Sequence, residues 1–247
     1  MELYNTSNFV VVMPAYNEAA TIQNIVSRVL AICPNIIIVN DGSKDQTLEI
    51  VRDMDVCTIN HKQNMGKANS LWDGIQAALA MQGIKGIITI DADGQHLPED
   101  IPRLIKKHIQ HPDDVVIGAR LLNQENAPKI RLFANKFADF WVSWAAGRRI
   151  HDSQSGFRLY PTMVLDNLWL PHDASRRFVF ESQILIKIGE KDINFHHVSI
   201  ESIYLKDARP SHFRPIKDIS SIVLMVAASL FTKFFNMGGL YKVILGK

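Results

Sequence analysis

The stretch GIITIDADGQHLPE, residues 86–99, indicates both a fold and a site. Its apolar first half predicts a buried strand, and Pro98 begins the next helix. Asp91, Asp93 and Gln95 follow the strand at its carboxyl end, which is where open α/β sheets bind ligands. Two carboxylates and a side-chain amide are hard oxygen ligands, so we expect them to hold Mg²⁺ or Mn²⁺ together with a diphosphate. A polar turn without a ligand is the alternative for so short a motif.

Composition limits the class of protein. The chain has 247 residues, of which 47% are hydrophobic, and this is enough for one main domain. The formal net charge is only +2 and no long run of Lys and Arg occurs, so we expect no nucleic-acid partner. The N-terminus lacks the basic and apolar regions of a secretory signal. Cys33 and Cys57 lie in apolar surroundings without metal-ligand spacing, so we expect two buried thiols in a cytoplasmic protein.

The first half of the chain alternates apolar strands with helices. Strands are predicted at residues 9–13, 36–39, 56–59, 86–91 and 115–118, and the segments between them carry apolar residues at helical spacing. Repeated units of this kind predict an α/β fold, a mostly parallel sheet with helices on both faces. Ser43 and Gln46 are spaced as a capping box for the second helix.

Polar residues follow the ends of these strands. Glu18 follows the first strand, Asp41 the second and Arg120 the fifth. We therefore expect them to converge, with the carboxylates after the fourth strand, on one edge of the sheet. No Gly-x-Gly-x-x-Gly motif follows the first strand and no P-loop lysine is present, which argues against a dinucleotide dehydrogenase or a P-loop nucleotidase.

Five short motifs resemble those of the family 2 glycosyltransferases, which have the GT-A fold. In chain order they are VVMPAYNE (11–18), IVNDGSKD (38–45), GKA (66–68), DADGQH (91–96) and GAR (118–120). Within that family the chain is most similar to the polyprenyl-phosphate, or dolichyl-phosphate mannose synthase-like, branch, through residues 91–95, 152–158 and 211–215. The resemblance implies metal-dependent, inverting transfer of one sugar. It implies a nucleotide-sugar donor carrying uridine or guanosine and a lipid-linked acceptor, polyprenyl phosphate.

The resemblance also implies roles for individual residues. The nucleoside-binding residues would be Pro14, Ala15, Tyr16, Glu18 and Asp41, and Lys67 of the third motif would join the donor site. Asp91, Asp93 and Gln95 would position the metal and the diphosphate. Guanidinium groups pair with phosphate, so the candidates for further phosphate contacts are Arg120, Arg209, His212 and Arg214. Each of these basic residues has a solvated surface position as its alternative. His96 could cap the helix that Pro98 begins or could bind metal.

Asp93 would be catalytic through the metal that it positions. Whether the enzyme also needs a catalytic base depends on the acceptor. A sugar hydroxyl needs a base to accept its proton, whereas a lipid phosphate is already ionised near neutral pH. Asp152 and Glu181 are the two candidates for that base. Asp152 could instead cap a turn, and Glu181 could be a first-turn helix carboxylate.

Two segments of the second half suggest contact with a membrane. The helix predicted at residues 130–149 carries an aromatic stripe that either packs in the core or lies at a lipid interface. Residues 121–129, before this helix, would be the acceptor loop by the resemblance. The tail from residue 215 is apolar but falls short of the roughly 20 residues that span a bilayer, so we expect a helix on the membrane surface.

The predicted organisation is a catalytic domain at 1–214, with a donor half at 1–120 and an acceptor half at 121–214, and an amphipathic tail at 215–247. The protein would be peripheral at the inner face of the membrane. No Gln-x-x-Arg-Trp motif occurs, which favours a single-sugar transferase over a polymerase. The alternatives are a soluble glycosyltransferase acting on a hydroxyl acceptor and a sugar-nucleotide binding module without chemistry. A sugar-nucleotide pyrophosphorylase would need a Gly-rich first loop, which is absent.

Overall fold

The computed structural model describes residues 5–122, 129–168, 170, 177–201, 203, 215–232 and 234–246. The strands are β1 (Phe9–Ala15), β2 (Ile36–Asn40), β3 (Cys57–Asn60), β4 (Gly86–Thr89), β5 (Val115–Ala119), β6 (Arg158–Pro161) and β7 (Phe195–Ser199). The helices are α1 (Ile22–Leu30), α2 (Thr47–Arg52), α3 (Lys67–Leu79), α4 (Ile101–Gln110), α5 (Lys129–Ala146), α6 (Thr162–Leu165), α7 (Arg177–Gly189), α8 (Pro215–Thr232) and α9 (Met237–Ile244). Short 3-10 turns lie at Thr6–Asn8, Pro98–Asp100 and Phe234–Asn236.

The strands form a single sheet in the order β3-β2-β1-β4-β6-β5-β7. β6 runs antiparallel to both of its neighbours, and the other pairs are parallel. The predicted α/β fold with a mostly parallel sheet is confirmed. β6 and β7 were not predicted. β6 begins with an arginine and follows a polar segment, and β7 contains two histidines and a serine in place of a continuous apolar run.

Alternate residues of β1 build the core on the two faces of the sheet. Val10 and Val12 pack with α3, α5, α7 and α8, whereas Val11 and Met13 pack with α1 and α4. Successive side chains of a strand point to opposite faces, so a strand buried on both sides must be apolar throughout. Each fully buried aliphatic side chain contributes about 1.5–3 kcal/mol. The uninterrupted apolar run at β1 is therefore what an interior strand of the sheet requires.

A buried arginine ties β6 to helix α7. Arg158 is 1% exposed, and its guanidinium donates to the hydroxyl of Tyr160 and to the backbone carbonyls of Ser153, Ser155 and Glu181 at 2.7–2.9 Å. Burying a charge is costly unless hydrogen bonds satisfy it, and here four acceptors do so. The result is that Glu181 is held at a fixed position next to the sheet.

Two local predictions were wrong. Cys33 is buried, but Cys57 is exposed because β3 is the edge strand. Ser43 does not cap α2; its hydroxyl accepts the backbone N–H of Asn17 at 2.9 Å, while Asp45 accepts the N–H of Thr47 at 3.0 Å. Ser43 therefore connects the loops that follow β1 and β2.

The aromatic helix α5 packs one face in the core and leaves another exposed. Val142 and Ala145 are buried in the core, whereas Phe133 is 72% exposed, and Phe137 and Phe140 are also exposed. In the tail, Ile222, Val226 and Leu230 of α8 are buried at a spacing of four, and the side chains between them are largely exposed. A face of each helix therefore remains uncovered.

Within the described ranges, no single helix is long and apolar enough to cross a membrane. Among the described helices, Ile222–Thr232 and Met237–Ile244 are together long and apolar enough for a span, but they are bent by 119° relative to each other.

Candidate active site

Three ionised side chains meet beyond the carboxyl end of β4. The ammonium of Lys67, the first residue of α3, lies 2.7 Å from Oδ1 of Asp91 and 3.3 Å from Oε2 of Glu181. The Lys67 and Asp91 side chains are 28% and 24% exposed. Burial by itself lowers the pKa of Lys67, but the charges of Asp91 and Glu181 outweigh it and raise that pKa. Burial likewise favours a higher pKa for Asp91, but Lys67 lowers it, so both groups are charged at neutral pH.

Among the described residues, no cation forms an ion pair with Asp93. One of its carboxylate oxygens accepts the backbone N–H of Gln95 at 3.0 Å. Burial, and then the negative charge of Asp91, raise the pKa of Asp93. Within the described part of the chain, neither the second Asp93 oxygen nor the Gln95 side-chain amide has a hydrogen-bond partner. Two neighbouring carboxylates and an amide oxygen therefore offer hard donor atoms with excess negative charge, and this set fits Mg²⁺ or Mn²⁺.

A second group of potential ligands lies elsewhere. His111, Asp114 and His196 place one ligand atom each within 4.8 Å of one another. His111 and Asp114 precede β5, at its amino-terminal end, whereas the acidic residues at 91 and 93 follow a carboxyl end. This group is therefore separate from the site described above.

Gly156 allows the segment before β6 to approach Asp91. A Cβ atom at residue 156 would lie 2.7 Å from Oδ2 of Asp91. The hydroxyl of Thr89 in β4 donates to the carbonyl of Gly156 at 2.8 Å and holds this approach. A side chain at position 156 would therefore displace the Asp91 carboxylate.

Arg120 and Asp152 form a bidentate pair. Nε and Nη2 of Arg120 lie 2.8 and 2.7 Å from the two carboxylate oxygens of Asp152, and the Arg120 backbone N–H donates to the same carboxylate. Burial tends to raise the pKa of Asp152, but these bonds outweigh it and lower that pKa. The residue before β6 that was considered as a base is thus an ionised partner of an arginine.

Asp139 of α5 supports the same loop. Its carboxylate accepts the backbone N–H groups of Asp152 and Ser153 at 3.1 and 2.7 Å. Burial raises the pKa of Asp139 to about 6. The sequence places Asp139 on the polar side of an aromatic helix and gives no sign of this contact.

Asp41 organises the loop that leads to α3. Its buried carboxylate accepts the backbone N–H groups of Met65 and Gly66 at 2.7 and 2.8 Å, and it lies 2.8 Å from Nδ1 of His61. Gly42 has φ +66°, and a Cβ atom there would be 2.5 Å from the carbonyl carbon of Gln63. The turn after β2 therefore requires glycine, and it sets the position from which Lys67 extends.

The other predicted nucleoside-binding residues lie next to this turn. Pro14 and Ala15 end β1 and pair in register with the last residues of β2, and the Ala15 carbonyl accepts the N–H of Asp41 at 2.9 Å. The backbone N–H of Glu18 donates to the hydroxyl of Thr47 at 2.7 Å. Tyr16 is half-buried between them. The structure thus brings these residues together at the edge of the sheet where the acidic residues lie.

The remaining predicted residues divide into two groups. Arg209, His212 and Arg214 lie outside the described residues. His96 does not cap the following helix, because Leu97 occupies the N-cap position. Its imidazole is buried, its ring centroid lies 5.5 Å from that of Phe157, and burial lowers its pKa to about 4. His96 is therefore neutral at physiological pH.

Comparison with known proteins identifies the family. The family model for glycosyl transferase family 2 matches residues 10–176. The UDP-N-acetylglucosamine–dolichyl-phosphate N-acetylglucosaminyltransferase of Methanococcus voltae is 31% identical over 78% of this chain and 84% of that protein. The polyprenol monophosphomannose synthase of Mycolicibacterium smegmatis is 30% identical over 71% of this chain and 70% of that protein.

The fold is also found among solved structures. Glucosyl-3-phosphoglycerate synthase from Mycobacterium tuberculosis, in complex with Mn²⁺, UDP and phosphoglyceric acid, matches with a TM-score of 0.65 and 18% identity, over 91% of this chain and 77% of that one. A complex of the same enzyme with Mg²⁺ and UDP matches with a TM-score of 0.62. The resemblance to family 2 and its polyprenyl-phosphate branch is confirmed. The chain belongs to glycosyl transferase family 2 and is a glycosyltransferase with the GT-A fold.

Proposed function

We propose that this glycosyltransferase moves one sugar from a nucleoside diphosphate donor to a lipid-linked acceptor, polyprenyl phosphate. The observation that carries the proposal is the arrangement around Asp91: one carboxylate paired with Lys67, and a second, at Asp93, left with excess negative charge. Relatives named for dolichyl phosphate and polyprenol as acceptors support the choice of a lipid.

The donor would lie along the ends of β1, β2 and β4. The loops from Pro14 to Glu18 and around Asp41 would hold the nucleoside, and Lys67 would stand beside the diphosphate. Asp91, Asp93 and Gln95 would hold Mg²⁺ or Mn²⁺, as the donor set allows. When bound there, the cation supplies charge stabilisation for the departing nucleoside diphosphate. A single in-line displacement at this site inverts the anomeric carbon.

The two carboxylates considered as bases support a phosphate acceptor. Both oxygens of Asp152 are bonded to Arg120, and Glu181 lies 3.3 Å from the ammonium of Lys67. A general base needs a proton-accepting oxygen aimed at the acceptor and a pKa near the working pH. The lowered pKa of Asp152 removes it from that range. An acceptor that is already ionised, such as a phosphate monoester, needs no base.

Exposed apolar side chains support contact with a membrane. The aromatic residues of α5 continue towards the tail, where Nε1 of Trp144 donates to the carbonyl of Phe235 at 2.9 Å. Large apolar residues exposed on α5, α8, α9 and the turn between the last two helices are Phe133, Phe137, Phe140, Val223, Leu224, Phe231, Phe235, Met237, Tyr241 and Ile244. Helices with one apolar face of this kind bind at a lipid–water interface.

This arrangement favours a peripheral protein at the cytoplasmic face of a membrane, where nucleotide sugars are available. Residues 1–214 would form the catalytic domain, with the donor half before the acceptor half. Residues 215–247 would form the amphipathic tail that brings it to the lipid.

The deciding experiment compares acceptors that differ by one group. The purified full chain is incubated with labelled UDP- and GDP-sugars, Mg²⁺ or Mn²⁺, and either a polyprenyl phosphate or the matching polyprenol in detergent. We expect metal-dependent product only with the phosphate, and none after chelation with EDTA. Equal transfer to polyprenol or to a water-soluble saccharide would contradict the lipid-phosphate proposal, and unchanged transfer in EDTA would contradict the metal assignment.

A further inference from the structure

A basic cavity lies on the edge strand β7, at a different end of the sheet from the active site. Its volume is about 250 Å³, several times that of a water molecule. The cationic and imidazole side chains lining it are Lys107, Arg148, Arg149, His151, His196 and His197, joined by Asn194, Phe195 and Gly246. None of these lining residues is acidic, and none belongs to the glycosyl-transfer site.

Positive charge in this basic cavity is only partly neutralised. Asp192 pairs with Arg148 and also lies 3.7 Å from the ammonium of Lys242, so one carboxylate serves two cations. Asp114 lies 2.9 Å from Nε2 of His196. Lys107 and Arg149 have no carboxylate within ion-pair distance in the part of the chain that the structure describes. Among the described residues, these two cationic groups of the cavity therefore have no anionic partner.

The cationic side chains of the cavity also act on its imidazoles. Burial lowers the pKa of His197, and the charges of Lys107 and Arg149 lower it further. Burial also lowers the pKa of His151, and His197 and Arg149 lower it further. The ring centroids of His151 and His197 are 4.3 Å apart. An anion in the cavity would relieve this repulsion.

The end of the tail brings exposed apolar residues to the rim. Gly246 lines the cavity, and its backbone lies so close to Arg149 that a Cβ atom would be 2.8 Å from Nη1. Ile244 and Leu245, which directly precede it, are exposed. A cationic cavity beside exposed aliphatic side chains is the combination that binds anionic lipid at a membrane surface.

We propose that this cavity is a second, non-catalytic phosphate site, which takes a phosphate group from an anionic phospholipid headgroup. Arg148 and Arg149 would supply guanidinium donors that match phosphate oxygens, and Lys107 would supply a point charge. Occupation of the cavity would fix the end of the tail against the lipid. The site does not depend on the chemistry of sugar transfer.

The test uses one charge-reversed variant and one matched control. Lys107→Glu with Arg149→Glu reverses the two uncompensated cations of the cavity. Lys106→Glu with Arg52→Glu makes the same change in net charge at two exposed positions outside it, one of them the neighbouring residue on α4. Thermal melting followed by circular dichroism establishes that both variants fold.

Vesicle sedimentation measures whether the protein binds a phosphate group that belongs to a lipid. Vesicles of phosphatidylcholine containing phosphatidylglycerol are compared with pure phosphatidylcholine. We expect the cavity variant to bind the anionic vesicles at least about tenfold more weakly than the wild type, and the control variant to change by less than about threefold. Histidine NMR, in a separate titration with inorganic phosphate, should show a higher pKa for His151 and His197 in the wild type and no change in the cavity variant.

The two measurements separate the sources of phosphate. Phosphate-dependent histidine shifts without any difference in vesicle binding would support a phosphate site whose ligand is a soluble phosphate. No histidine shift together with equal vesicle binding by the two variants would overturn the proposal. Either result leaves the acceptor experiment above unaffected, because sugar transfer in detergent is measured at the other end of the sheet.

Discussion

The ammonium of Lys67 lies 2.7 Å from the carboxylate of Asp91, although these residues are 24 positions apart. The pair joins the start of α3 to the end of β4, and Glu181 adds a second carboxylate on the side of α7. Its position explains how clustered carboxylates can lie close together in a partly buried site. The ammonium of Lys67 neutralises the charge of Asp91, and the carboxylate of Asp93 is left available to bind a metal ion.

Replacement of Lys67 by Met should destabilise the protein by about 1–3 kcal/mol at neutral pH, between the values for exposed and buried ion pairs. Lys67 lowers the folded-state pKa of Asp91, so the stabilisation is fully present above the pKa of an unfolded aspartate, about 4, and is lost as the pH falls from there through the lowered pKa of the folded protein. Urea unfolding of the wild type and the variant at several pH values measures the difference. A Lys62→Met control, at an exposed position, should show none. A difference that does not begin to shrink as the pH falls below about 4 would refute the assignment.

Asp93→Ala should abolish turnover, by a factor of about 10² or more, without loss of the fold. The raised pKa of Asp93 means that its ionised form is disfavoured in the folded protein, so removing it should leave the melting temperature at neutral pH unchanged or higher. Activity with Mg²⁺ and melting are the two measurements, and Asp113→Ala is the control on an exposed carboxylate. Full activity in Asp93→Ala would remove the metal assignment.

Glu181→Gln tests whether a base is required. If the acceptor is a phosphate, we expect less than about a tenfold decrease in kcat with polyprenyl phosphate, because only the contact with Lys67 is weakened. A general base would instead contribute about 10²–10⁴ and give a pH–rate profile that loses its acidic limb in the variant. The measurement is kcat as a function of pH, with Glu49→Gln as the exposed control.

Gly156→Ala should reduce kcat about tenfold or more with little change in stability. The added Cβ would lie 2.7 Å from Oδ2 of Asp91, so the carboxylate must move, and a small displacement of a reacting group is costly. Gly238→Ala provides the control, because nothing lies within 4 Å of its added Cβ. Equal activities for the two variants would show that the position of Asp91 is not critical.

His96 should make the protein less stable in mild acid. The folded imidazole has a pKa of about 4, whereas the unfolded one titrates near 6.5, so the unfolded state binds more protons between these values. Stability should therefore fall by about 2 kcal/mol between pH 7 and pH 5 from this residue alone. Comparison of urea unfolding for the wild type and His96→Asn isolates the effect, since other groups titrate in both. Parallel stability curves would contradict it.

The first half of the fold and the acidic motif could be predicted from the sequence. Apolar runs of strand length, separated by segments with helical spacing, specify buried parallel strands, and the residue after each strand is known as soon as the strand is known. Asp41, Asp91 and Arg120 were located in this way. The motifs then identified the family without any knowledge of contacts.

Tertiary structure alone decided what surrounds those residues. β6 inserts antiparallel between β4 and β5, and this brings Gly156 to Asp91 and Asp152 to Arg120. The contact between Lys67 on α3 and Glu181 on α7 likewise joins residues that are far apart in the sequence. Periodicity reports only the local environment of a residue, because it records which face is buried. Ion pairs and buried hydrogen bonds form between groups that are distant in the chain, and their positions are set by the packing of the whole sheet.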